Sequence, residues 1–251
     1  MQKSIPIFKH AELDGKTLFL NGNHIGVLLI HGFTATTVEV RMLADYFSKQ
    51  GFTVCAPLLP GHGTTPEDLN KRKYIEWIKC VEEAYSELKK ACSSVIVGGE
   101  SMGAVLSLYL AQNHPEIKAL LLYSPAIKIT SLKYSKLFRH LFPIIRKKDY
   151  DEIMPWQGYT VYPLFAASEL LQLQKLVFQD LHKVRQPIVI FHGAYDRTID
   201  PDSSDLIMSS VSSPVKAKYT MMNSGHVILL DNEFPNTAEL SLKFLRELKI
   251  V

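Results

Sequence analysis

Short runs of largely apolar residues recur along this 251-residue chain, and their spacing limits what it can fold into. Gly26–Ile30, Phe52–Ala56, Val95–Val97, Ala119–Tyr123 and Ile188–Phe191 are each too short for a helix, and all but one lack a polar position. Such runs are expected of strands buried on both faces. Val215–Met221 reads as a last strand and Lys16–Leu20 as an early one. Between them lie segments with helical spacing. Residues 38–50 place Val38, Met42, Leu43, Tyr46 and Phe47 on one side and end at Gly51, a C-terminal cap. Residues 74–88 carry Tyr74, Trp77, Ile78, Val81, Tyr85 and Leu88 on one stripe. Thr65-Pro-Glu-Asp68 reads as a helix start, 202–211 as a short helix and Pro235–Leu248 as a closing one. Alternating strands and helices predict a mostly parallel sheet with helices on both faces.

The alternation lapses once, over residues 126–182. This stretch holds Phe138, Phe142, Trp156, Tyr159 and Phe165 among many aliphatic residues and no strand-like run. It reads as a mostly helical insertion over the sheet, richer in aromatics than a plain connection needs. The expected organisation is one domain: a core of 1–125 and 183–251, with 126–182 as a cap.

The run at Val95–Val97 leads into Gly98-Gly-Glu-Ser-Met-Gly103, and a helical segment, Met102–Gln112, follows. The motif G-x-S-x-G, placed between a strand and a helix, describes a turn that pushes a serine hydroxyl out of the sheet. Gly98, Gly99, Gly103 and Ala104 are the small neighbours such a turn demands. A serine hydroxyl is a weak nucleophile until a base takes its proton, and the base is usually a histidine held by a carboxylate. Asp196 follows the strand Ile188–Phe191 and His226 follows Val215–Met221, so the order is Ser101, Asp196, His226. Reactive groups gather at the carboxyl ends of parallel strands, where all three are expected. Asp200, Asp202 and Asp205 are rivals for the acid; Asp200 precedes Pro201 and suits a turn, and Asp202 suits a helix cap. Acyl transfer also needs donors for a developing oxyanion. The backbone N–H groups of Met102 and of Phe33, in the loop after Ile30, are the candidates, with His31 and His62 as loop-stabilising histidines.

A net charge of +3 gives no case for nucleic acid or an anionic membrane as partner, and Arg146-Lys-Lys148 reads as a solvated helix end. Three cysteines, Cys55, Cys80 and Cys92, with no C-x-x-C spacing predict a reducing, cytoplasmic setting, with Cys55 in the core. No secretory leader and no membrane-spanning stretch are expected. Neither a metal-ligand cluster nor a phosphate-binding glycine loop is evident, so no metal and no cofactor are expected.

Taken together, His31-Gly-Phe-Thr, Gly61-His-Gly-Thr, Gly99-Glu-Ser-Met-Gly, Tyr195-Asp196 and Ser224-Gly-His226 resemble the bacterial carboxylesterase and monoacylglycerol lipase branch of the α/β-hydrolases. The likeness runs over most of 25–248 and is weakest in the insertion. It implies the α/β-hydrolase fold, hydrolysis of a small-molecule ester through an acyl-serine, and a cap that binds the acyl chain. Phe138, Phe142, Trp156, Tyr159 and Phe165 are the candidate substrate-binding residues. Monoacylglycerol lipases of this branch use an acidic cap residue for the glycerol hydroxyl, whereas Gly158-Tyr-Thr-Val-Tyr-Pro163 holds none; Glu152 and Glu169 nearby read as exposed helix charges. The expectation is therefore a carboxylesterase for short- to medium-chain esters, with a monoacylglycerol lipase as the alternative. A peptidase is disfavoured, because no carboxylates are evident for a substrate ammonium. A non-catalytic binding protein on this scaffold is the reading from another class.

Overall fold

The apolar runs become the strands of one twisted sheet. The structure is a computed structural model and describes residues 7–147 and 154–250. In chain order the first elements are β1 (Phe8–Lys9), β2 (Leu18–Leu20), β3 (Ile25–Ile30), α1 (Val38–Lys49), β4 (Thr53–Ala56), α2 (Pro66–Leu69) and α3 (Tyr74–Ala91). Then come β5 (Ser94–Glu100), α4 (Met102–Asn113) and β6 (Leu120–Tyr123). The insertion contributes α5 (Lys133–Phe138), β7 (Ile144–Arg146), β8 (Gly158–Tyr159), β9 (Val161–Pro163) and α6 (Leu164–Gln179). The chain closes with β10 (Ile188–Gly193), α7 (Ser203–Ser210), β11 (Lys216–Met221) and α8 (Phe234–Glu247).

Seven strands form the main sheet in the order β11-β10-β6-β5-β3-β4-β2. All neighbours are parallel except the edge strand β2, which runs antiparallel to β4. The strict alternation of side chains along a strand divides the core in two. Val27, Leu29, Val54, Ile96, Leu121, Tyr123, Val189 and Phe191 point to one face, under α1 and α8. Leu28, Ile30, Val95, Val97, Leu120, Leu122, Ile188 and Ile190 point to the other, under α3, α4 and α6. Each such residue is worth about 1.5–3 kcal/mol on burial, so both faces need covering. Helix α4 lies so deep that nine of its residues are buried, and it shows no polar stripe. Helix α1 turns Val40, Leu43, Ala44 and Phe47 inward, but Met42, expected on that face, is exposed.

The insertion departs from the expectation. Its described residues hold three short strands where none is expected: β7 pairs antiparallel with β9, and β8 pairs antiparallel with β1. These pairs run only two or three residues, too short for alternation to register. Arg146 and Lys147 end a strand, not a helix, and Lys147 turns back onto the loop after β3; Lys148 lies outside the described residues. Helix α6 packs Ala166, Leu170, Leu173 and Val177 into the core.

Candidate active site

Ser101 sits between β5 and α4 with φ 56° and ψ −112°, a conformation that costs a non-glycine residue about 1–3 kcal/mol. The surroundings hold it. Its N–H donates to the Tyr123 carbonyl at 2.9 Å, and its own carbonyl accepts from Ala126 at 3.2 Å. The turn is tight enough that a Cβ on Gly103 would lie 1.9 Å from the Ile30 carbonyl oxygen. A Cβ on Gly32 would lie 3.2 Å from the Ser101 Cβ, so the loop after β3 lies against the serine.

Ser101, Asp196 and His226, separated by up to 125 positions, form one hydrogen-bonded chain. The Ser101 hydroxyl meets His226 Nε2 at 2.9 Å, and His226 Nδ1 meets Asp196 Oδ2 at 2.7 Å. A carboxylate facing Nδ1 fixes the proton there, which leaves Nε2 free to accept from the serine. Burial alone would raise the Asp196 carboxyl, but hydrogen bonds from His226 and from the Thr198 and Ile199 N–H groups hold it below the ordinary value. The loop carrying His226 is anchored by two acids the sequence reading passed over. Glu233 accepts from Asn223 N–H and from the Ser224 hydroxyl, and Asp231 accepts from Gly225 N–H. Both lie within ten positions of the histidine, just before the closing helix.

The rival acids are occupied elsewhere. Asp200 accepts from the N–H and hydroxyl of Thr130, consistent with a turn-shaping role. Asp202 precedes α7 without capping it and pairs with Lys128 at 2.7 Å, so the expected cap is corrected to an ion pair. Asp205 pairs with Lys218. His31 is a loop-stabilising residue: its Nε2 accepts from Leu59 N–H at 3.1 Å and its Nδ1 donates to the Gly32 carbonyl at 2.9 Å. Burial brings it down to about 4 despite the Gly32 bond, so it stays neutral. His62 is buried beside it and is also pushed well below its ordinary value.

Two buried carboxyls flank the serine. Glu39 Oε2 accepts from Gly32 N–H at 2.5 Å and Oε1 accepts from the Trp156 indole N–H at 3.2 Å. Glu100, the residue before the serine, has a long contact from Leu229 N–H at 3.4 Å, and its Oε2 has no hydrogen-bond partner. Burial raises both carboxyls, and the Glu39 charge raises Glu100 further, well above the ordinary range. Glu39 also feels His226 and Lys147, so Glu100 is the member that keeps its proton. Neither glutamate is singled out in the sequence; Glu39 falls between Val38 and Val40 in an otherwise ordinary first helical turn.

The five aromatics of the insertion go to different places. Phe138 and Phe142 are exposed, at 41% and 57%. Tyr159 is fully buried, its hydroxyl donating to the Gly61 carbonyl and accepting from Thr64 N–H. Phe165 stacks edge-on against His140 and lines an open groove of about 450 Å³ with Glu67, Asn70, Lys71, Pro143 and Ile144. Two of the five reach the loop beside Ser101: Trp156 through Glu39, and Tyr159 through its backbone N–H to the Thr34 carbonyl. A second cavity of about 220 Å³ lies behind Asp196, lined by His192, Ser204, Lys218 and Thr220 among others; neither cavity is lined by Ser101. Glu169 is not an exposed charge: it is buried, accepting from Lys73 Nζ and Tyr74 N–H at the start of α3. Glu152 lies outside the described residues. Gly158–Pro163 holds no acid, and its Thr160 is tied to the Ile7 carbonyl. Among the described residues no group of His, Cys, Asp and Glu is arranged to hold a metal, and no helix is long and apolar enough to cross a membrane.

The family model of the serine aminopeptidases, S33, matches residues 23–152. A thermostable monoacylglycerol lipase of Bacillus sp. (strain H-257) is 34% identical, over 97% of this chain and 98% of that protein. A carboxylesterase of Bacillus subtilis (strain 168) is 28% identical, over 93% and 97%. Among solved structures, one reported for the metagenome-derived lipolytic enzymes LipS and LipT superposes with a TM-score of 0.89 at 28% identity, covering 93% of this chain and 98% of that one.

Proposed function

The chain belongs to the serine aminopeptidase S33 family of α/β-hydrolases, and from that premise we propose that it is a serine-dependent carboxylic ester hydrolase for short- to medium-chain esters. The observation that carries the reading is the continuous hydrogen-bonded chain Ser101–His226–Asp196 on a strained strand-to-helix turn. In the first half-reaction His226 Nε2 takes the Ser101 proton as Oγ attacks the ester carbonyl. Asp196 stabilises the resulting imidazolium. The tetrahedral oxyanion is held by the Met102 and Phe33 N–H groups. Collapse expels the alcohol, which leaves with the proton from His226. Water then repeats the sequence on the acyl-serine, releasing the acid and restoring the serine.

Residues 126–182 act as the cap over this site in our reading. The peptidase name of the family does not carry over, because an aminopeptidase must bind an ammonium and both described cap carboxylates are engaged, Glu169 by Lys73 and Tyr74 and Asp180 by Lys183. The three cysteines are free, and burial pushes Cys55 and Cys80 up to about 12 and about 11, which accords with unreactive thiols in a reducing, cytoplasmic setting.

A second reading, monoacylglycerol hydrolysis, is favoured by the Bacillus relative of that name. The acid-free stretch Gly158–Pro163 speaks for the simpler ester. Turnover of a 1-monoacylglycerol against the ethyl ester of the same acid separates them. Equal or faster turnover of the ethyl ester is expected; a glyceride preference of tenfold or more would transfer the assignment to the lipase.

A further inference from the structure

The loop after β3 is gripped by the insertion over Thr34, Ala35 and Thr36, and at Gly32 through Glu39 of α1. Gly32 N–H and the Trp156 indole N–H share the two oxygens of Glu39. Thr34 has φ 68°, which a β-branched residue adopts only under constraint. Its carbonyl accepts from Tyr159 N–H at 2.9 Å and its hydroxyl accepts from Lys147 Nζ at 2.6 Å. Lys147 in turn lies 4.4 Å from the centre of the Trp156 ring. Ala35 forms a β-bridge to Gly158, and the Thr36 hydroxyl donates to Gln157. Phe33 stands between the two most constrained points, and its N–H is borne on the Gly32 carbonyl carbon.

We infer that Glu39 is a positioning residue for the oxyanion hole and that Trp156 of the insertion is its working partner. The inference rests on the ester-hydrolase reading above. The carboxylate fixes the His31–Gly32 peptide. The next peptide bears Phe33 N–H, and its carbonyl, that of Gly32, accepts from His31 Nδ1. The insertion fixes Thr34 from the other side. Phe33 N–H is therefore set in place before any substrate arrives. Such a donor costs no reorganisation during reaction, which is where most of its value lies. The arrangement also makes the insertion part of the catalytic geometry and not only a cover. Because Trp156 is buried and its polar atom faces Glu39, its main effect falls on the rate of the chemical step and not on substrate affinity.

The test is steady-state kinetics on p-nitrophenyl butyrate for wild type, Trp156→Phe, Glu39→Gln and the double variant, with melting curves for each. Phenylalanine keeps the ring and removes the N–H. Glutamine can still accept from Gly32, but then aims its own amide N–H at the indole. We expect Trp156→Phe to lower kcat roughly tenfold with KM within about twofold, short of the 10²–10³ that follows outright loss of an oxyanion donor. Glu39→Gln should lose more, and adding Trp156→Phe to it should recover part of the loss, since the clash between donors is gone. Affinity for a boronic acid, which mimics the tetrahedral adduct, should fall in step with kcat. A rise in KM at unchanged kcat would make Trp156 a pocket wall and overturn the inference. So would losses that multiply independently and follow the melting temperatures. Ser101→Ala, run alongside, judges the ester-hydrolase reading separately: if it kept wild-type turnover that reading would fail, whatever the Glu39 and Trp156 variants did.

Discussion

Glu100, directly before the proposed nucleophile Ser101, carries a buried carboxyl oxygen with no hydrogen-bond partner among the described residues. Burial, and then the nearby Glu39 charge, raise the group well above the ordinary carboxylate value, and the backbone N–H groups of Leu229 and Ile228 offset only part of that. The consequence for stability has a definite sign. Between the ordinary carboxylate value of 4.5 and its raised value, the folded chain binds a proton that the unfolded chain has lost. Stability therefore falls as pH rises through this window, by up to about 1.4 kcal/mol per pH unit for one group. Glutamine is the neutral isostere and has no proton to lose. Melting curves should show Glu100→Gln gaining on wild type as pH rises from 5; a gap that does not change with pH would mean that Glu100 is ionised in the fold. The proposed triad, Ser101, Asp196 and His226, could be named from motif and order, because each lies just after an apolar run. Glu39 and Glu100 could not, because in sequence they are a helix residue and a motif spacer, and their burial follows only from tertiary packing.

At the scale of elements, the elbow shows how little room the site leaves. Ala in place of Gly103 would put a methyl group 1.9 Å from the Ile30 carbonyl oxygen, a backbone atom that cannot swing aside. Overpacking of this kind costs about 1–3 kcal/mol or more, so a melting-temperature drop on the order of 5–10 °C is expected for Gly103→Ala in a chain of this length. Gly225 supplies the contrast, since the nearest atom to its added Cβ is Asp231 Oδ2 at 3.8 Å. Gly225→Ala should melt within about 2 °C of wild type, and an equal loss at both positions would contradict the packing argument. The buried strands β3, β5, β6 and β10 were readable because burial on both faces demands unbroken apolar runs. The strands β7, β8 and β9 were not. They are two or three residues long and their partners include the start of the chain, so no local pattern announces them.

Across the whole molecule, the sheet gathers the ends of β5, β10 and β11 at one edge, and the insertion leans on the loop after β3 beside them. The fold was legible in outline, since alternation of strand and helix leaves few topologies. The reach of the insertion was not, because the Trp156–Glu39 pair spans 117 positions and its partners share no motif. The proposed function rests the chemistry on one serine, Ser101. Hydrolysis of a p-nitrophenyl ester series, acetate through palmitate, by wild type and Ser101→Ala in parallel tests that most directly. A maximum at short or middle acyl lengths is expected, with a fall of at least about 10⁴ in kcat for the variant and a melting temperature unchanged within about 2 °C. A folded Ser101→Ala protein that hydrolysed these esters as fast as wild type would contradict the proposed function.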